Sequence, residues 1–203
     1  LENTDLRTLL VNNGEGNTLQ FTNLFPTAHT SYKVLENFSM QAGYSRRISR
    51  PGLWDLNPFF NIRNNFSIRT GNPLLLPEFT DSYEVNAIFD QGALSLNAAV
   101  YHRYTTDVVE NVSTFEDNVS ITRPENIGTN RATGVEVNAK YFPTEWWSLN
   151  ADFNYNYFQR EGTFETTSFD FDADQWTARL TTKFKLPAGI DFEVNGNYRS
   201  SFQ

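Results

Sequence analysis

The chain of 203 residues contains no cysteine. Disulfide scaffolds, thiolate metal sites and cysteine nucleophiles are excluded by that absence. Positive charge is also short: 16 Lys and Arg stand against 24 Asp and Glu, a net charge of −8. No basic stripe is available to neutralise phosphates, so a nucleic-acid partner is not expected. No apolar run reaches the ~18 residues of a transmembrane helix. The two histidines, His29 and His102, fall on different strand-like segments with opposite facing. His-Glu-x-x-His, Gly-x-Ser-x-Gly and phosphate-binding glycine motifs are missing, so neither an enzyme nor a cofactor is expected.

Rings are what the chain has in plenty: 18 Phe, 9 Tyr and 4 Trp, 15% of the sequence against 20% charged residues. That is not the composition of a disordered chain. Their placement is periodic. Residues 146–159 read WWSLNADFNYNYFQ, in which Trp147, Leu149, Ala151, Phe153, Tyr155 and Tyr157 alternate with Ser148, Asn150, Asp152, Asn154 and Asn156. Strict alternation marks a strand with two unlike faces, and the pattern recurs about eight times between residues 24 and 203. Inside those segments Lys33, Glu84, Arg103, Glu136, Lys140, Asp152, Arg179, Lys183, Asp191 and Glu193 all fall on the polar parity. Residues 1–23 are too irregular to assign, apart from a possible strand near Thr8–Val11.

Connections alternate in length. Leu35–Asn37, Asp90–Gly92, Pro143–Trp146 and Pro187–Gly189 are tight turns, whereas residues 48–80, 105–130 and 160–173 form long polar segments expected to be loops. Alternation alone fits a soluble β-sandwich as well as a membrane barrel. Length and ring placement favour the barrel. The segments run to about 10 residues, the span of a tilted transmembrane strand, against ~5–6 for soluble strands. Rings gather at both ends of the apolar face: Phe38, Phe89, Tyr141, Trp147, Phe184 and Phe192 by the short turns, and Tyr44, Tyr83, Tyr104, Tyr155, Tyr157, Trp176 and Tyr198 by the long segments. Two such rows are the aromatic girdles of an outer-membrane barrel, with Ala, Val and Leu between them in the hydrocarbon. The expected fold is all-β: an antiparallel up-and-down transmembrane barrel segment over residues 24–203. Since the chain stops within a strand-like pattern, it is expected to be part of a larger barrel. A secreted sandwich that binds a partner, and a passive porin, are the rival readings.

Three stretches, YSRRISRPGLWDLNPF (44–59), TGNPLLLPEFTDSYEV (70–85) and NRATGVEVNAKYFPTEWWSLNADFNY (130–155), resemble the barrel of TonB-dependent outer-membrane receptors. The Bacteroidetes-type outer-membrane β-barrel family is the nearest likeness, and Gly71–Glu78 (GNP-x-L-x-PE) its most specific element. The resemblance implies a barrel of about 22 strands around a plug in a Gram-negative outer membrane. It also implies import of an iron chelate, cobalamin, glycan or peptide, powered through TonB. Outer-membrane lipid and lipopolysaccharide, a plug domain, TonB and a small nutrient ligand are the implied partners. This sequence holds no plug, TonB-interacting segment or closing strand.

Candidate site residues follow from charge and position. Arg46, Arg47 and Arg50, with Trp54, stand where a strand opens into a long segment and could hold an anion or sugar at a barrel mouth. The arginines could instead pair with Glu78 or Asp81, or contact lipopolysaccharide phosphates. Glu84, Arg103, Glu136, Lys140, Asp152 and Arg179 are expected to face the lumen and to contact plug or substrate. Asp170, Asp172 and Asp174 share a face, but Gln175 occupies the position where a calcium loop needs glycine, so no metal site is assigned.

Overall fold

The structure, a computed structural model, describes residues 2–9, 16–64 and 66–202. Strands β1 (Glu2–Leu9) and β2 (Gly16–Asn23) form a separate antiparallel pair. Of the strand expected near Thr8–Val11, Thr8 and Leu9 lie in β1, while Leu10 and Val11 fall outside the described residues.

Eight strands build one continuous antiparallel path. They are β3 (Thr27–Leu35), β4 (Phe38–Ser49), β7 (Glu78–Gln91), β8 (Leu94–Glu116), β9 (Val119–Thr144), β10 (Trp147–Phe164), β11 (Thr167–Leu186) and β12 (Ile190–Arg199). Each pairs with its neighbour in this series, the up-and-down order anticipated from the alternation. Between β4 and β7 lie a four-residue helix α1 (Leu53–Leu56) and two short strands, β5 (Asn61–Asn64) and β6 (Ser67–Arg69), off the main path.

Two of the three expected loops are not loops. Residues 105–130 continue β8 and β9 to a tip at Asp117–Asn118, both with positive φ (48° and 64°) as a tight hairpin turn demands. Residues 160–173 likewise continue β10 and β11. Only residues 50–77 cross between strands as a largely irregular segment. The long hairpin bends where the register of β8 against β9 shifts, between Thr105 and Val109, with Asp107 at φ 56°.

The register separates the two sides of the sheet. Ala42, Val85, Val100, Val135, Tyr155 and Trp176 are successive partners on one side; Gln41, Asn86, Ala99, Glu136, Asn154 and Thr177 are successive partners on the other. Among the described residues nothing covers the apolar side: Val85, Val100, Leu180 and Val194 are 47%, 54%, 49% and 47% exposed. A sandwich would bury these residues against a second sheet. Here the wall is one layer thick, and such an apolar side is stable only against lipid.

Strand tilt can be read from the same register. Tyr104 ends the apolar stretch of β8, and Tyr198 ends that of β12. Yet Tyr198 pairs with Ala178, which pairs with Phe153, then Val137, then Ala98. The upper girdle therefore descends from Tyr104 to the row of Ala98 while crossing from β8 to β12. Six residues at ~3.3 Å and four strand steps at ~4.8 Å give a slope of about 45°. A membrane barrel tilts its strands by about that angle, so a level girdle must slide down the register in this way.

Candidate functional site

The polar side near the long-hairpin end holds the candidate site. Consecutive strand residues point to opposite sides, so β4 separates Arg46 from Arg47. Arg47 lies opposite Thr80 on the polar side; Arg46 lies opposite Asp81 on the apolar side, where the two pair at 3.5 Å. The expected Arg46–Arg47–Arg50–Trp54 cluster is therefore not brought together. Arg50 follows the end of β4, and Trp54 stands 84% exposed on α1.

A cavity of about 810 Å³ is lined on the polar side by His29, Ser45, Arg47, Ser82, Glu84, Tyr101 and Arg103. Tyr101 is its fixed element. The ring lies across Gly134, its hydroxyl donates to Asn156 Oδ1 at 3.3 Å, and only 8% of it is exposed. Arg103 stacks on the same ring at 4.7 Å, which holds a guanidinium over a hydroxyl-rich floor with no carboxylate in ion-pair contact among the described residues. Glu84 accepts from Asn86 Nδ2 at 2.6 Å.

Lower on the polar side, Glu136 accepts from Asn154 Nδ2 at 2.9 Å, Asp152 stands opposite Arg179, and Lys140 lies between Ser95 and Asn150. Glu84, Arg103, Glu136, Lys140, Asp152 and Arg179 thus share one side but are spread over five strands. They present a charged wall and not a single pocket. Asp170, Asp172 and Asp174 project from the other side of β11, where Gln159 donates to Asp170 at 3.2 Å and the Tyr157 hydroxyl donates to Asp172 at 3.1 Å. No group of three potential metal-ligating His, Asp or Glu occurs among the described residues.

Gly71–Glu78 acts as a latch. Gly71 N–H donates to Asn57 O at 2.8 Å and Asn72 N–H to Asp55 O at 2.6 Å. A Cβ on Gly71 would collide with both of those carbonyl oxygens, so only glycine fits. Asn72, 3% exposed, donates through Nδ2 to Pro124 O at 3.2 Å and to Glu125 Oε2 at 2.8 Å, while its Oδ1 accepts from Leu74 N–H at 3.0 Å. Asn126 closes on Leu76 at both backbone groups, 2.8 and 3.0 Å, and reaches Asp107 O at 2.6 Å. Glu78 accepts from Val109 N–H at 2.8 Å, just past the bend. Leu75, 2% exposed, is the apolar pin of this knot. The segment thereby fastens residues 50–77 to the hairpin at its bend.

One more link ties in the neighbouring hairpin. Glu110 and Glu125 face each other across β8 and β9, an unfavourable like-charge pair. Arg160 of β10 engages Glu110, while Asn72 and Arg123 (3.1 Å) engage Glu125. Replacing Asn72 with Ala would leave the buried Pro124 carbonyl without this donor and take one of two partners from the half-buried Glu125 carboxylate, at a cost of about 1–3 kcal/mol. Amide exchange over residues 53–76 should then quicken while the strands stay protected; unchanged exchange would refute the latch. Sequence reasoning singled out the motif but not Asn126, Tyr101 or Gly134. Their partners lie up to 55 residues away, and the local pattern carries no sign of them beyond a glycine interrupting a strand.

Comparison with known proteins fits this geometry. The sequence matches the outer membrane protein beta-barrel family over residues 1–203. No curated protein matches it in sequence. Among solved structures, the ferric enterobactin receptor of Pseudomonas aeruginosa in complex with enterobactin is similar, with TM-score 0.55 at 12% identity over 89% of this chain. A siderophore receptor from Pseudomonas aeruginosa gives 0.54 at 15% over 90%, and a copper transporter gives 0.55 at 14% over 93%. The chain spans about a third of the length of these proteins: 34%, 36% and 31%.

Proposed function

Because the chain belongs to the outer membrane protein beta-barrel family and lies in a Gram-negative outer membrane, we propose that it forms part of the wall of a TonB-dependent receptor. The receptor captures a small nutrient at its extracellular mouth and imports it past a plug domain. The observation that carries this reading is the asymmetry of the single-layer wall. One side is an uncharged apolar band bounded by rings; the other is a continuous charged and hydroxylated surface, overhung at one end by latched segments. In this reading Arg47, Arg103 and Trp54 contact the nutrient. Glu84, Glu136, Lys140, Asp152 and Arg179 face the plug, because the lumen of barrels this large is filled. The Bacteroidetes-type subfamily is proposed on the Gly71–Glu78 motif. An iron chelate is the first cargo to test, since structurally similar receptors are named for siderophores.

Uptake of radiolabelled iron chelates by cells expressing the intact protein provides the test. Transport should stop when an uncoupler collapses the proton gradient or when TonB is deleted. Uptake that persists under both treatments would establish a passive pore instead.

A further inference from the structure

The hairpin of β10 and β11 outruns its neighbour. Strand β12 ends at Arg199, opposite Thr177, and one further residue closes the pairing. Ser200 N–H donates to Trp176 O at 2.9 Å, and the Ser200 hydroxyl accepts from Trp176 N–H at 2.9 Å. The chain then turns to the polar side, where the Phe202 ring meets Phe158 of β10 edge-on at 5.9 Å. Residues 167–175 of β11 are left with β10 as their only pairing strand among the described residues. Both backbone groups of Trp176 point away from β10, towards Ser200. Backbone groups alternate between the two edges of a strand. Ser168, Asp170, Asp172 and Asp174 share the parity of Trp176, so their N–H and C=O groups line the open edge. From 168 to 174 this edge runs about 20 Å, at ~3.3 Å per residue. No proline interrupts it, and its register against β10 runs without a shift. Such an edge is a template for another strand.

The side chains beside the edge define what fits it. Asp170, Asp172 and Asp174 stand on the outer side, and the bonds from Gln159 and Tyr157 occupy only one oxygen each of Asp170 and Asp172. Phe169, Phe171 and Ala173 stand on the inner side. The Phe171 ring leans edge-on against Phe158 at 6.2 Å and is still 45% exposed. A strand added here sets its own alternate residues directly beside these two rows. We propose that the open edge of β11 binds an extended peptide segment of another protein by strand addition, with Lys or Arg at every second position and apolar residues between. The basic residues meet the three aspartates, and the apolar ones cover Phe169 and Phe171. Backbone bonds supply the affinity and the alternation supplies the selectivity. The edge lies beyond Trp176, the upper ring of β11, on the side of the long extracellular connections. The partner therefore arrives from outside the cell. This surface is independent of the cargo, and it holds whether the intact protein is a coupled receptor or a passive pore.

The test titrates the intact protein in detergent with a fluorescent peptide of about nine residues, alternating Lys and Val, and reads binding by anisotropy. Lysines opposite the aspartates exchange both backbone bonds with them. N-methylation of every lysine should therefore weaken binding about tenfold or more, whereas N-methylation of the valines, whose N–H groups face away, should cost little. Asp170→Asn, Asp172→Asn and Asp174→Asn together should weaken it several-fold and flatten its dependence on salt. Asp172→Pro removes one outward donor without touching the ladder to β10, and should weaken it as well. On binding, amide exchange should slow at 168, 170, 172 and 174, while 169, 171 and 173 stay as they were. Equal affinity for the plain and lysine-methylated peptides would overturn the proposal without any variant having to fold. So would a plain peptide that fails to bind, since the protein's own chain would then be covering the edge.

Discussion

Val137→Arg should cost about 2–4 kcal/mol of folding free energy in a bilayer, while Asn138→Arg should cost under about 1 kcal/mol. The two positions are adjacent on β9 and both are paired on either side to β8 and β10, so the main difference between them is the medium beyond the side chain. Val137 lies between Ala98 and Phe153 in the middle of the apolar band; Asn138 lies between Asn97 and Asp152 on the polar side. An arginine at 137 must pull its charge past at least two residues of strand to reach headgroups, whereas one at 138 finds water and Asp152 at once. Leu96→Arg should resemble Val137→Arg in kind. Its cost should be smaller, because Leu96 pairs with Phe89 near the short-turn girdle and an arginine there can snorkel. Denaturant titration of the intact protein in vesicles reads all three. Equal costs at 137 and 138 would mean that the two sides meet the same surroundings.

Gly134→Leu should be of similar size, about 3 kcal/mol, for an unrelated reason. The apolar band is untouched by this change, since Gly134 faces the polar side. Its missing side chain is the space in which the Tyr101 ring lies, and a Cβ there would strike that ring and the Tyr155 carbonyl oxygen. The ring must leave, which costs Tyr101 its burial and its bond to Asn156, and costs Arg103 the surface it stacks on. A second variant separates these effects. Tyr101→Ala paired with Gly134→Leu should recover part of the loss, because the collision is gone. If the double variant is no better than Gly134→Leu alone, the packing account of this position is wrong.

The wall was legible in the sequence because it stands between two solvents. Lipid on one side and water on the other impose period two on every strand, and the parity of Glu84, Glu136, Asp152 and Arg179 gave their side correctly. Beyond the girdles both sides of the sheet meet water, so alternation fades although the strands continue. That is why residues 105–130 read as loop. Another signal was present there: VVENVSTF and NVSITR are rich in β-branched residues and meet at Asp117–Asn118. The Arg46–Arg47 separation was also available, since Arg46 has the parity of Tyr44. The latch was not available. Asn72 and Asn126 read as ordinary loop polarity until a register shift near Asp107 and a bend bring them within bonding distance.

A chain without cysteine permits a direct measurement of what the apolar side touches. Single cysteines at each position from Leu94 to Tyr104, spin-labelled in the intact protein after reconstitution, report collision with oxygen from the lipid phase and with a nickel chelate from water. The expected result is two period-two waves exactly out of phase along β8: oxygen highest at 96, 98 and 100, nickel highest at 97, 99 and 101. Low collision with both reagents at 96, 98 and 100 would mean that protein covers that side, and the membrane wall would have to be abandoned.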